Sequence, residues 1–253
     1  MNERQTRELH EQLEQLKLTH FQEQCQAQAK EAAKDSLPHL DYLHRLVAGE
    51  TAARFGRLVE RRVRQARMPT IKTLDQFHWE RPRKINRLLV ESLASLEFIH
   101  DKDNVVFIGN PGVGKTHLTL ALANAACVAG HSVLFTTAVA LVNHLSVAQK
   151  TGRLTEELRK YTAPHLLCID QLGIMPFDRT GADLLYQIVD GRYERGSIIA
   201  TTNIAYEDWS NTFYHDTVLT TALLDRLLHH SHTVVIDGDS DRQRQNRARA
   251  AAF

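Results

Sequence analysis

The sequence predicts an α/β fold in which a parallel sheet is covered by helices, preceded by a small all-helical domain. Short continuous apolar runs recur at residues 105–108, 132–136, 166–169, 197–201 and 233–236, as in strands buried on both faces. Helical stretches separate most of these runs, and strands that alternate with helices pair in parallel through crossovers. Up to about residue 66, by contrast, apolar residues return at helical spacing among Glu, Gln, Lys and Arg.

Composition bounds the possibilities further. The 253 residues are 43% hydrophobic and 24% charged, with 12 Gly and 6 Pro, which excludes collagen-like, mucin-like and wholly disordered chains. No run approaches the roughly 18 apolar residues of a membrane span, and residues 1–30 are polar and rich in Gln and Glu. A soluble cytoplasmic protein is expected. Cys25, Cys127 and Cys168 stand far apart without a C-x-x-C pair, which argues against a disulfide framework or a cysteine-built zinc site. His229, His230 and His232 cluster, but with no H-E-x-x-H pattern and no acid or cysteine in ligand spacing they do not read as a metal site.

The first domain, residues 1–66, is expected to hold three helices. Leu9, Leu13, Leu16 and Phe21 give residues 2–34 one amphipathic face. Ser36 can cap a second helix whose face is Leu37, Leu40, Leu43, Leu46 and Val47, interrupted by Gly49. A third, about 50–67, lines up Phe55, Val59, Val63 and Ala66 on one side and Arg54, Arg57, Arg61 and Arg64 on another, and stops at Met68-Pro69. Net charge is only +1, yet between Arg54 and Arg87 eleven basic residues face three acids. That block is a candidate phosphate-contacting surface.

The second domain, residues 67–253, opens with a connector over 70–87 whose Phe77 and Trp79 should pack on the rest of that domain, then a helix over 85–99. The run 105–108 leads at once into Gly109-Asn110-Pro111-Gly112-Val113-Gly114-Lys115-Thr116, which fits G-x-x-x-x-G-K-[ST] between a strand and a helix. Glycines let successive backbone N–H groups face a phosphate, and the helix N-terminus adds a favourable dipole. All eight residues, with His117 behind them, are therefore candidate ATP-binding positions. Lys115 should reach the β- and γ-phosphates, and the Thr116 hydroxyl should help hold Mg²⁺.

Four further residues complete the expected site. Asp170 ends the apolar run Leu166-Leu167-Cys168-Ile169 and should stand beside the magnesium ion. Gln171 occupies the next position, where many P-loop ATPases carry a Glu that helps deprotonate the attacking water; a carboxamide orients water without taking its proton, so attenuated ATP hydrolysis is expected. Asn203, after the fourth strand, is a candidate γ-phosphate sensor. Arg226, in the apolar stretch Leu223-Leu224-Asp225-Arg226-Leu227-Leu228, is either a surface ion pair with Asp225 or a neighbour, or an arginine finger for an adjacent subunit.

Together these residues resemble the AAA+ helper ATPases of insertion sequences, the IstB-like family, to which the helicase loader DnaC is closely related. The resemblance runs from about Pro69 to Ser240 and rests on Lys72-Thr73-Leu74-Asp75-Gln76-Phe77, Gly109 to Leu118, Gly191-Arg192-Tyr193-Glu194-Arg195 and Leu224-Asp225-Arg226-Leu227-Leu228-His229-His230. It implies an AAA+ P-loop domain and ATP-driven assembly of a homo-oligomer on double-stranded DNA, with ATP sites between subunits and a transposase as partner. A DnaC-like replicative helicase loader is the alternative; a P-loop small-molecule kinase leaves the basic helix without a use. The resemblance also implies a second DNA-facing segment, here with Lys150, Arg153, Arg159 and Lys160. Gly238-Asp239-Ser240-Asp241-Arg242 departs from the family's G-x-S-Y-R at Asp241, with Arg242 in the place of a second nucleotide sensor. The chain ends soon afterwards, so a C-terminal helical lid is not expected.

Overall fold

The computed structural model describes residues 2–238, and the chain divides after Arg61 into two compact units. The first contains α1 (Glu3–Gln15), α2 (Thr19–Lys34) and most of α3 (His39–Gln65), around a small core of Leu13, Cys25 and Leu46. A capping box starts α1: the Asn2 side chain accepts the Gln5 N–H while the Gln5 side chain accepts the Asn2 N–H.

Two expectations for this unit are corrected. The single helix over 2–34 is broken at residues 16–18, where Lys17 turns left-handed with φ 55°. The break at Gly49 does not occur, and α3 runs straight through it. A β-carbon on Gly49 would sit 2.0 Å from Nε2 of His20, so this glycine admits α2 against α3 rather than ending a helix. Beside it, buried Glu50 accepts the His20 N–H at 2.8 Å and so caps the start of α2 with a negative charge. Arg54 and Arg57 bind the same carboxylate at 3.0 and 3.1 Å. Burial alone would raise the Glu50 carboxyl, but hydrogen bonds from Arg54, Arg57 and the backbone outweigh it and hold the group below its ordinary value.

In the second unit the expected helix over 85–99 is also split, into α4 (Arg87–Leu93) and α5 (Glu97–Asp101), by Leu96 at φ 65°. Then come β1 (Asn104–Gly109), α6 (Lys115–Ala129), β2 (Val133–Thr137), α7 (Ala138–Lys150), α8 (Leu154–Thr162), β3 (Leu166–Leu172), α9 (Arg179–Arg192) and β4 (Ser197–Thr202). A 3₁₀ turn at Tyr206–Asp208, α10 (Trp209–Thr212), α11 (Thr217–Leu228) and β5 (Ser231–Ile236) complete the described chain.

The five strands form one parallel sheet in the order β2-β3-β4-β1-β5. Alternate residues feed two separate cores, which is why these strands read as continuous apolar runs. Val105, Phe107, Leu166, Cys168 and Ile199 pack with α4, α5 and α6 on one face. Val106, Leu167, Ile169, Ile198 and Ala200 pack with α7, α9 and α11 on the other. Cys168 is core: full burial pushes its thiol far up, which removes any nucleophilic role. No helix among the described residues is long and apolar enough to cross a membrane.

Arg192 ties the N-terminal edge of this sheet together. Only 1% exposed, its guanidinium donates to the carbonyls of Tyr161, Thr162, Pro164, His165 and Ser197 at 2.8–3.3 Å. Two of those carbonyls belong to the last turn of α8, whose negative dipole end compensates the buried cation. Burial lowers the guanidinium to about 10, so it stays charged at neutral pH. Arg192→Met keeps the apolar stem but removes the side-chain donor from five carbonyls, of which His165 keeps the Ser197 N–H, and it should cost about 3 kcal/mol or more. The midpoint of urea unfolding measures this loss; an unchanged midpoint would show that the cage adds nothing.

Candidate nucleotide site

In open α/β sheets ligands gather beyond the carboxyl ends of the strands. Here β3, β4 and β1 lie side by side, so the ends of all three meet at one cleft. Gly109 closes β1 so near to β5 that a β-carbon would fall 2.1 Å from the Ile236 carbonyl oxygen. Gly114 opens α6 at φ 104°, with the Phe77 ring 2.6 Å from where its β-carbon would stand. Neither position accepts a side chain. The turn between them exposes backbone N–H groups at a helix N-terminus, the arrangement that cradles phosphate.

Lys115, 7% exposed, donates its ammonium to the carbonyls of Gly109 at 2.6 Å and Asn110 at 2.8 Å, which holds the cation over the loop. The Thr116 hydroxyl lies 3.0 and 3.1 Å from the two carboxylate oxygens of Asp170. A hydroxyl facing a carboxylate is the hard-oxygen pair that suits Mg²⁺, so these residues fit the ion implied by the sequence.

Gln171 owes its position to an irregularity in the sheet. Ile169 pairs with Ala200 but Leu172 pairs with Thr202, so Asp170 and Gln171 together oppose Thr201 alone. At this bulge Gln171 is left-handed, with φ 65°, a conformation costing roughly 1–2 kcal/mol outside glycine. The bulge brings Gln171 to the cleft wall alongside Asn203. Thr201 holds it there: its hydroxyl donates to Asp170 at 2.6 Å and accepts the Gln171 N–H at 2.9 Å. Sequence reasoning missed Thr201; its place one step before Thr202-Asn203 in an otherwise apolar strand was the available signal.

The opposite wall also goes beyond the expected residues. Gln76, Phe77, His78, Arg81 and Pro82, from the connector, line the cleft with Pro111–His117. Phe77 meets Trp79 and His117 edge-on, with centroids 4.9 and 5.4 Å apart. The His117 imidazole lies 3.0 Å from the Thr73 carbonyl, and burial lowers its pKa, so it is a neutral link between loop and connector.

Arg226 lies elsewhere. Leu227 and His230, just beyond it, bond through their carbonyls to Asn104 at the start of β1, whereas Gly109 is the last residue of that strand. At about 3.3 Å per residue, that is the length of the strand away. Within one chain Arg226 therefore stands at the other end of the sheet from Lys115. Its Nε donates to Asp190 at 2.6 Å and its guanidinium lies 5.0 Å from the Tyr186 ring centre, so the ion pair is with Asp190 rather than Asp225. Of the basic candidates, Arg54, Arg57, Arg61 and Arg64 succeed one another along α3, the first two tied to Glu50. Lys150 ends α7, Arg153 precedes α8, and Arg159 and Lys160 lie on α8, where Lys160 pairs with Glu157 at 2.7 Å. Arg242 lies outside the described residues, as does most of its segment.

A parallel sheet with this glycine loop after β1, and an acid near the end of β3 facing the loop threonine, defines a P-loop protein. The sequence profile of the IstB-like ATP binding protein family matches residues 11–250, and the chain belongs to that family. It is 40% identical over 235 residues to an insertion sequence IS21 ATP-binding protein of Pseudomonas aeruginosa, covering 93% of this chain and 88% of that one. The IS5376 counterpart of Geobacillus stearothermophilus is 34% identical over 239 residues, 94% of this chain and 95% of the relative. Among solved structures, the DnaC helicase loader shares the fold with a TM-score of 0.55 at 22% identity, over 65% of this chain and 96% of that one.

Proposed function

We propose that this protein is an ATP-dependent, DNA-binding regulator of transposition that assembles on duplex DNA as a homo-oligomer and recruits or activates a partner transposase. One observation carries the assembly: Arg226 and the phosphate loop occupy opposite ends of the same sheet. A chain so built offers an incomplete site at one end and a planar cation at the other, and a neighbouring copy supplies what each lacks. The insertion-sequence relatives supply the biological setting. The three free, buried cysteines suit a reducing cytoplasm.

Each residue then has a task. The backbone from Gly109 to Gly114 cradles the phosphates and Lys115 neutralises them. Thr116 and Asp170 hold Mg²⁺, which when bound supplies charge neutralisation at the phosphates. Gln171 and Asn203 orient water without accepting its proton, so the ATP-bound assembly persists and hydrolysis resets it slowly. The cationic face of α3 and the Lys150–Lys160 segment contact DNA phosphates, which position a protein without reading sequence.

Sedimentation and fluorescence anisotropy with duplex DNA test this reading. ATP with Mg²⁺ should convert the protein into oligomers on DNA. Lys115→Ala should weaken ATP binding about 30- to 150-fold, the loss of 2–3 kcal/mol of charged contact, and remove the conversion. Reversing Arg61 and Arg64 to Glu should weaken DNA binding and flatten its dependence on salt. A wild-type protein that binds ATP yet stays monomeric and indifferent to duplex DNA would overturn the proposal.

A further inference from the structure

His229 and His230 gain a carboxylate from a distant part of the chain. Glu194, in the turn between α9 and β4, comes beside both histidines at the end of α11, and the three exposed side chains each offer a ligand atom within 4.8 Å of the others. We propose that Glu194, His229 and His230 form a site for one divalent transition metal of the zinc class, held at the edge of the sheet that carries Arg226.

The donor chemistry selects the ion. Two imidazoles and one carboxylate suit zinc and its borderline neighbours, whereas Mg²⁺ and Ca²⁺ take oxygen ligands. Zinc bonds of about 2.0–2.1 Å set tetrahedral ligands roughly 3.4 Å apart, and rotation of exposed side chains closes the remaining distance. The backbone on both sides is fixed. Glu194 is left-handed, φ 57°, two residues after caged Arg192. The His230 carbonyl accepts the Asn104 N–H at 2.7 Å, which anchors the histidine pair to β1.

An outer partner is also in place. The Tyr193 hydroxyl lies 2.9 Å from Nδ1 of His229. With a metal on Nε2, Nδ1 carries the ring proton and donates it to the Tyr193 oxygen, the kind of hydrogen bond that orients a ligating histidine. Water completes the coordination. The ion then joins the end of α11 to the turn after α9, the two helices already linked by Arg226 and Asp190.

The proposal does not rest on the nucleotide reading, and its test needs no ATP. Untagged full-length protein is stripped with a chelator, freed of it, and titrated with Zn²⁺ by calorimetry and with Co²⁺ by visible absorption. One ion per chain is expected. His229→Ala, His230→Ala and Glu194→Gln should each bind at least about tenfold more weakly, Tyr193→Phe about 10- to 100-fold more weakly, and Asp170→Asn like the wild type. Zinc should raise the melting temperature of the wild type but not of the histidine variants, whose own cooperative melting transition shows them to be folded. No uptake by the wild type, uptake unchanged in both histidine variants, or uptake lost with Asp170→Asn would each overturn the assignment.

Discussion

Gln171→Glu should raise the steady-state ATPase rate by about 100-fold, the lower range of what a positioned general base contributes. The bulge at Asp170 and Gln171 already delivers this side chain to the cleft wall, and the Thr201 hydroxyl fixes its backbone, so a carboxylate there arrives in place without repacking. The exchange changes one atom, from an amide nitrogen to an oxygen able to take a proton. ATP affinity should stay close to that of the unsubstituted protein, because Lys115 and the loop backbone are untouched. Phosphate release over time, beside a separate ATP-binding titration, checks both halves. An unchanged rate with intact binding would show that residue 171 does not limit turnover.

Arg226→Ala, made in that faster background, should reduce the rate by about 1,000-fold, the scale on which an arginine finger stabilises charge on the transferring phosphoryl group. ATP binding to the isolated subunit should persist, since Arg226 stands a strand's length from its own loop. Mixing decides where the residue acts. A Lys115→Ala subunit keeps its arginine and an Arg226→Ala subunit keeps its loop, so the two inactive proteins combined should regain a measurable fraction of activity. Full activity of the Arg226 variant alone, or failure of the mixture to recover, would exclude action between subunits. In the present geometry Asp190 and Tyr186 hold the guanidinium against α9, so the Arg226 side chain has a defined starting orientation.

Buried parallel strands announce themselves as uninterrupted apolar runs, because each residue meets one core or the other; for this reason the sheet and its phosphate loop were readable from sequence. The helices of the first unit were less so. Gly49 looks like a stop until His20, from another helix, is seen to fill the space above it. The turn at Lys17 has no glycine to mark it. In the site, Lys115, Thr116 and Asp170 sit in a local pattern with a mechanical meaning, so their convergence was foreseeable. The roles of Thr201, Phe77 and Arg192 depend on what faces them across the fold, and no spacing along the chain encodes that. The Arg226 ion pair was foreseen as a possibility, but its partner comes from α9, far away in sequence.

The placement of loop and arginine at opposite ends of one sheet gives every copy a direction. Contacts that join unlike ends are heterologous, and they propagate as an open row unless rotation closes them into a ring. If Arg226 completes a neighbour's site as proposed, an open row leaves one terminal copy with an unfinished loop, so turnover per copy should climb as the row lengthens and level off once that end becomes a small fraction. A closed ring has no such end, and its specific activity is the same in every assembled particle.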